Sequence, residues 1–429
     1  MTCPRRPWRR SVSSSTADPQ ATPPGGKPKP WEALRYRDYR VHWLATFCYV
    51  VGFWLRFLTL SQWLFDTTGS AAQLGLIGLV QLFVQIPALL WGGTVADHFD
   101  RKRVLFIVNM ITMSVILACG ILAAGDLLRT WHVYIAVAIT AATHTMAQPA
   151  RGAMTAVVVP ARHIMLAVTT DRATQNVAMI FAPLLFAGVA EAFGLTTSFF
   201  IAAAVILPAA LLPMAIHARG RAENASEGST LERVIEGFRF VRRHPILPGL
   251  FLLDSGITVV SFYREIMPVL ARGLFRGGAG AVGVLSAANS AGAVFGSFAA
   301  IAFAGYRAKG MLVLYASLAY AMVLFGFGSV PNLALGALMI ALLGGTDAVT
   351  VAVRETTVQL TTPDHMRGRA YSFMILTAQT ANNIGTIWVG FWSASIGAPS
   401  TMQMGAGIAI VATLIIWRVW RPIREYRYP

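Results

Sequence analysis

The sequence predicts an all-α polytopic membrane protein, with twelve transmembrane helices in two six-helix halves. Three observations lead there. The 429 residues are 55% hydrophobic and only 13% charged, with a mean hydropathy of +0.58, whereas soluble chains carry about a quarter charged residues. Apolar runs of about 20 residues, each long enough to cross a bilayer, recur along the chain. The cations gather between these runs instead of within them.

That distribution explains the net charge of +16. Arginine and lysine cluster in the N-terminal tail (Arg5 to Arg40), after Asp97, from Arg219 to Arg243, and from Arg418 to Arg427. The excess charge therefore sets topology and attracts anionic lipid; it does not indicate nucleic acid.

Residues 1–30 are rich in Arg, Ser and Pro and contain no apolar core of a secretory signal. They are expected to form a disordered cytoplasmic tail. Trp31–Arg40 enters the first span as an amphipathic segment. Spans follow at roughly 41–64, 71–96, 104–124, 131–155, 165–190 and 198–216. They resume at roughly 246–270, 279–304, 311–329, 333–358, 368–392 and 401–420. Even-numbered loops hold the cations Arg101–Arg103, Arg162, Arg307, Lys309, Arg367 and Arg369, while odd-numbered loops hold few. The asymmetry predicts a multi-pass protein of the inner (plasma) membrane with both termini in the cytoplasm.

The one long polar interruption, 217–245, is expected to be a cytoplasmic linker ending in an interfacial helix. Leu231, Val234, Ile235, Phe238 and Val241 have helical spacing there. It separates an N-terminal half, 31–216, from a C-terminal half, 246–422, with 423–429 as a cytoplasmic tail. The halves echo each other. LRYRDYR (34–40) matches FRFVRRH (238–244) at an offset of about 204, and Arg151 and Pro160 match Arg354 and Pro363 at an offset of about 203.

Between the second and third spans lies Gly93-Thr-Val-Ala-Asp97-His-Phe-Asp100-Arg101-Lys102-Arg103. A turn this charged cannot lie in hydrocarbon and marks a membrane surface. It resembles the loop motif of the major facilitator superfamily: a glycine, an aspartate four residues on, an arginine next to it, then a basic cluster. Gly93, Asp97, Arg101 and Lys102 match. His98 stands where the family usually has arginine, and Asp100 where many members have glycine. The resemblance implies that Asp97 acts at the start of the eleventh span, Pro363-Asp-His-Met-Arg367-Gly-Arg369, and latches the cytoplasmic side. A carboxylate at a helix N-terminus is favoured by the helix dipole. The alternative is a solvated loop that only fixes topology. The equivalent loop of the second half, 304–309, keeps cations and lacks the acid.

Charged residues inside spans are costly and normally face a cavity. Arg56 lies near the middle of span 1 and is a candidate for an anionic substrate group or a carboxylate partner. Asp254 and Asp347 lie within spans 7 and 10. Burial favours the neutral form of a carboxyl group, so either is a candidate proton carrier; the alternative is a structural partner for Arg56 or a hydroxyl. Arg151, Arg354 and Glu355, at the cytoplasmic ends of spans 4 and 10, read as an ion network. Arg264-Glu265 reads as an outer gate or an interfacial pair.

Gly278-Ala-Gly280-Ala-Val-Gly283 has the spacing of a dinucleotide fingerprint, but no strand precedes it and no acid follows at the required distance. With Gly292 and Gly296, it reads as a small-residue helix-packing face. The three cysteines, Cys3, Cys48 and Cys119, have no metal or disulfide spacing. No HExxH, Walker A, nucleophile elbow or CxxC pair occurs, so neither an enzyme, a metal nor a cofactor is expected.

Asp66-Thr-Thr-Gly-Ser70, Glu236–Pro245 and Pro363–Arg369 narrow the resemblance to the bacterial branch with the enterobactin exporter and macrolide efflux proteins. It implies a secondary active transporter, expelling an amphipathic drug or siderophore in exchange for protons by alternating access about one central cavity. Arg56, Asp254, Asp347 and the aromatic Trp54, Phe57 and Trp63 suit a mixed polar and aromatic ligand. An importer of the same fold, a lipid flippase and a non-transporting scaffold or sensor are the alternatives.

Overall fold

A computed structural model describes residues 31–218, 230–303 and 305–428, except for the side chains of 93–98, 230 and 365. The expected tail 1–30 and most of the linker's flexible part lie outside the described residues, as does the side chain of Asp97.

The described residues form fourteen α-helices and no strand. The first half comprises α1 (Arg37–Thr68), α2 (Ala71–His98), α3 (Arg101–Ala124), α4 (Thr130–Val157) and α5 (Ile164–Leu211). A short α6 (Thr230–Arg243) leads into the second half: α7 (Leu247–Ser261), α8 (Met267–Phe275), α9 (Ala279–Ala302), α10 (Lys309–Phe327), α11 (Leu333–Thr361), α12 (Asp364–Ile396) and α13 (Ala398–Val419). The terminal α14 (Arg421–Glu425) packs on α10.

Among the described residues, eight segments are long and apolar enough to cross a membrane, and a ninth arises if α6 and α7, which meet at 106°, count as one. One of the eight is the 55-residue stretch Ala161–Ala215, about twice the length a crossing needs. Gly194, at φ +81°, breaks it into two; only glycine adopts that backbone without strain. Eleven of the twelve expected spans thus fall mainly on unbroken helix, and the seventh does not. The segments outside the set of eight are α4, α12 and the α7–α8 pair. Both α4 and α12 spend polar side chains (His144, Gln379, Asn382, Asn383) on an internal cavity, which lowers their apolarity.

The structure corrects the expected seventh span, 246–270. It is two helices, with 262–266 non-helical between them. Pro268 sits in the first turn of α8; its ring would clash with the carbonyl four residues back, at Arg264, so a helix cannot run through both. The charged turn after span 2 is also shorter than the sequence suggests. The second helix continues to His98, and Asp100 caps α3, accepting the Lys102 amide N–H at 2.9 Å. That N-cap role accounts for an aspartate where glycine is the commoner residue.

Within the first half α1 and α3 pack on α5, and α2 and α3 on α4; within the second, α9 and α10 pack on α11, α7 on α12 and α13, and α10 on α13. The halves meet through α2 on α12 and α5 on α9. Gly75 and Gly390 face each other where α2 crosses α12, and Gly292 lies on the Ala341 carbonyl where α9 crosses α11. One apolar cluster, including Leu74, Phe186, Leu285 and Val389, bridges the halves toward the end away from the termini. Near the terminus-bearing end each half has a separate core: Tyr39, Leu105 and Met154 in one, Leu247, Leu314 and Val358 in the other.

Gly292→Ala is expected to lower the thermal unfolding midpoint, because the added methyl meets backbone that cannot yield; overpacking costs about 1–3 kcal/mol. Gly256→Ala, whose added methyl meets nothing within 4 Å, is expected to hold or raise the midpoint. Unfolding followed by fluorescence of the purified protein checks both.

Candidate functional site

A cavity of about 390 Å³ lies between the halves. The first half contributes Phe53, Trp54, Arg56 and Phe57 from α1, Gln81 and Gln85 from α2, and Thr140 and His144 from α4. The second contributes Phe262, Arg264 and Glu265 from the break, Arg354 and Glu355 from α11, and Gln379, Asn382 and Asn383 from α12. Asn383 donates to the Gln85 side chain at 3.0 Å, a direct polar bond between halves. A second cavity of about 400 Å³ shares Phe53 and His144 with the first and extends past Arg151 and Asp171 toward the terminus-bearing end.

Arg56 is 7% exposed. Its guanidinium reaches the Thr140 carbonyl at 3.4 Å and lies 4.8 Å from the centre of the Phe53 ring. No described carboxylate forms an ion pair with it; Asp254, the expected type of partner, pairs with Arg354. The cation is therefore held by a carbonyl dipole and an aromatic face, and its charge stays available to the cavity.

Arg354 and Arg151 occupy repeat-related positions and take different partners. Arg354 on α11 reaches Asp254 on α7, whereas Arg151 on α4 lies 3.0 Å from the centre of the Tyr49 ring on α1. A buried nitrogen of Arg151, Nη2, has no hydrogen-bond partner among the described residues. The three residues expected to form one ion network do not pair with one another among the described residues. Arg151 lines the second cavity, and Arg354 and Glu355 line the first. Asp347 lies away from the main cavity, in a small void of about 40 Å³ with Asp254, Arg354, Ser261 and Tyr320.

Glu265 corrects the outer-gate reading of Arg264-Glu265. The break between α7 and α8 turns both side chains into the central cavity, and Glu265 is 7% exposed. His144, whose ring bridges the two cavities, also escaped the sequence reading. It bonds to the Tyr49 hydroxyl and, at 3.1 Å, to the Gln148 amide. A proline four residues after Arg264 was the sequence signal for the break. Nothing local marks His144 as cavity-facing.

At the end away from the termini, Arg272 on α8 binds Asp66 on α1 at 2.5 Å, and Gln62 steadies the same carboxylate at 3.0 Å. Beside them Glu191 on α5 accepts the Gly280 amide N–H of α9 at 2.8 Å. The halves are thus tied together there. At the opposite end, Arg369 pairs with Glu236 of α6 at 2.8 Å, Arg367 with Asp364 at 2.9 Å, and Lys102 donates to the Ile216 carbonyl at 3.1 Å. Arg101 begins α3. The Asp97 side chain that would join this set lies outside the described residues.

Because the Asp254–Arg354 pair is mostly buried, Arg354→Met is expected to cost about 3 kcal/mol by stranding the carboxylate. The double variant Arg354→Met with Asp254→Leu is expected to recover most of that loss. A double-mutant cycle on thermal stability reads the difference.

Comparison with known proteins agrees with this architecture. Residues 28–426 match the family described as transmembrane secretion effector. The chain is 25% identical over 391 residues to the enterobactin exporter EntS of Escherichia coli O81 (strain ED1a), covering 88% of this chain and 91% of that protein. The EntS of Shigella boydii serotype 18 matches to the same extent. Among solved structures, the nucleoside transporter NupG superposes with a TM-score of 0.71 at 13% identity, over 91% of this chain and 100% of NupG. A bacterial homologue of the human lysosomal transporter Spinster, inward-facing and occupied, gives 0.70 at 15% identity, over 94% and 100%. These two likenesses concern the fold alone. A match spanning nearly all of the helical bundle, with the superfamily's motif at Gly93–Lys102, makes the chain a member of the transmembrane secretion effector family of major facilitator transporters.

Proposed function

We propose that this protein is a secondary active exporter of an amphipathic small molecule, driven by proton entry and working by alternating access. The observation that carries the reading is the cavity of about 390 Å³ built from both halves. Its size falls in the range that encloses drug-sized ligands, and its lining of aromatic rings, amides and unpaired charges suits a molecule with apolar and polar faces. The halves are tied at one end by Asp66–Arg272 and Glu191–Gly280, while the second cavity leads toward the end that bears the termini. With both termini in the cytoplasm of a bacterial inner membrane, this arrangement is the inward-accessible state. The exporter named among its relatives supports the outward direction.

In this reading 31–216 and 246–422 are the two rocking halves, 217–245 is the cytoplasmic connection with α6 as its interfacial helix, and 1–30 and 423–429 are cytoplasmic tails. Gly93, Asp97, Arg101 and Lys102 latch against the start of α12, with Arg367 and Arg369, when the cavity faces outward. Arg369, bound to Glu236 here, is the group that would change partner. Arg56 recognises the polar part of the cargo, Asp254 and Asp347 belong to the polar pathway, and membrane lipid surrounds the bundle.

The test is accumulation of a panel of dyes, macrolides and siderophores in an efflux-deficient bacterial host. Wild type is expected to lower accumulation of at least one compound several-fold. A protonophore or Asp97→Asn should abolish the effect. Raised accumulation would instead identify an importer.

Linking the halves at the closed end gives a second test. With Cys3, Cys48 and Cys119 replaced by serine, Asp66→Cys with Arg272→Cys should cross-link under a short bifunctional thiol reagent and stop transport. Full activity of the linked protein would refute the rocking motion.

A further inference from the structure

The break between α7 and α8 places one carboxyl group in a setting unlike that of Asp254 or Asp171. Asp254 is paired with Arg354. Asp171 is satisfied by the Tyr39 and Thr155 hydroxyls, both at 2.9 Å. Glu265 is buried, lines the central cavity, and its Oε2 has no hydrogen-bond partner among the described residues. Leaving a buried carboxylate oxygen unpartnered is expensive, so the position needs either a proton or a visiting donor.

Its neighbours point the same way. The Thr386 hydroxyl of α12 lies within hydrogen-bonding reach of Glu265 and of the Asn382 carbonyl, the latter at 3.1 Å. A hydroxyl has one hydrogen. That hydrogen can serve either the Asn382 carbonyl or Glu265, and in either case Oε2 of Glu265 has no partner among the described residues. The charged and titratable groups facing the cavity are Arg264 and Tyr263 of the break, Arg56 of α1, His144 of α4, and Arg354 and Glu355 of α11. None forms an ion pair with Glu265 within 4.0 Å. Irregular backbone deep in a membrane protein is tolerated where it lines a cavity, and broken helices are where transporters hold ions and cargo.

From this geometry we infer that Glu265 is the exchange site of the transport cycle, bound in turn by a proton and by an N–H or O–H donor of the cargo. The inference rests on the exporter reading above and deepens it. A deprotonated Glu265 accepts the cargo's hydrogen bond; a proton on the same carboxyl removes the acceptor and releases the cargo, which is the exclusion that antiport requires. Two arginines, Arg56 and Arg264, and two acids, Glu265 and Glu355, line the cavity beside the paired Arg354, so its lining has no excess of either sign to hold an ion. The cargo class is an uncharged, donor-bearing aromatic molecule, its rings against Phe53, Trp54, Phe57 and Phe262.

Carbodiimide labelling tests the site without needing the cargo, because dicyclohexylcarbodiimide modifies protonated carboxyl groups in apolar surroundings. The full-length protein in lipid nanodiscs is labelled between pH 5.5 and 8.5, and peptide mass spectrometry locates the adduct. The expected result is an adduct at Glu265 that falls at least tenfold as pH rises and is absent in Glu265→Gln. Glu265→Asp, with the same thermal midpoint as wild type, should still label and serves as the folding control. Labelling confined to Asp347 or another acid, pH-independent labelling of Glu265, or no labelled acid at all would each overturn the assignment. A failed accumulation assay alongside correct labelling would count against the exporter reading and leave the exchange carboxyl standing.

Discussion

A peptide group in hydrocarbon has no water to bond to, and the rest of this structure depends on that constraint. Every backbone donor in the spans must be satisfied within its own helix, so interruptions are confined to places where protein or cavity surrounds them. Gly194 turns at the end of the bundle away from the termini. The interruption at 262–266 is internal, and it is there that Arg264 and Glu265 reach the cavity.

The same constraint governs the charges. Cations and acids that would be intolerable against lipid are gathered on the inner faces of α1, α4, α7 and α11 and at the break after α7, where carbonyls, rings and one another stand in for water. The two halves solve this differently at related positions. Arg354 takes a carboxylate, Asp254, while Arg151 takes the face of Tyr49. The first half therefore presents its cavity with cations lacking acid partners, and the second supplies nearly all of the acids. Positions that match in the sequence repeat thus carry different partners for the same cation.

Tight packing and movement are divided between places. Gly75 against Gly390 brings α2 and α12 to backbone contact, and the shared apolar cluster holds the halves together away from the termini. Near the termini each half keeps its own core, so parting the halves there exposes little apolar surface. Polar links such as Asp66–Arg272 and Gln85–Asn383 can break and re-form at modest cost, since a half-exposed ion pair is worth only about 1 kcal/mol or less.

By itself, the sequence determined the class and the family. These follow from properties additive along the chain: apolar length, the placement of cations, and a motif of adjacent residues. Tertiary structure decided which charges meet. Asp254 and Arg354 are 100 residues apart and pair only because the fold brings α7 and α11 to the same small void. Asp347, chosen for its depth in a span, lies aside from the main cavity, while Glu265, assigned to the outer surface from its position near a span's end, lies within it. The reason is a helix break: Pro268 stops α7 from continuing, and the direction of the freed side chains is set by the helices packed around them.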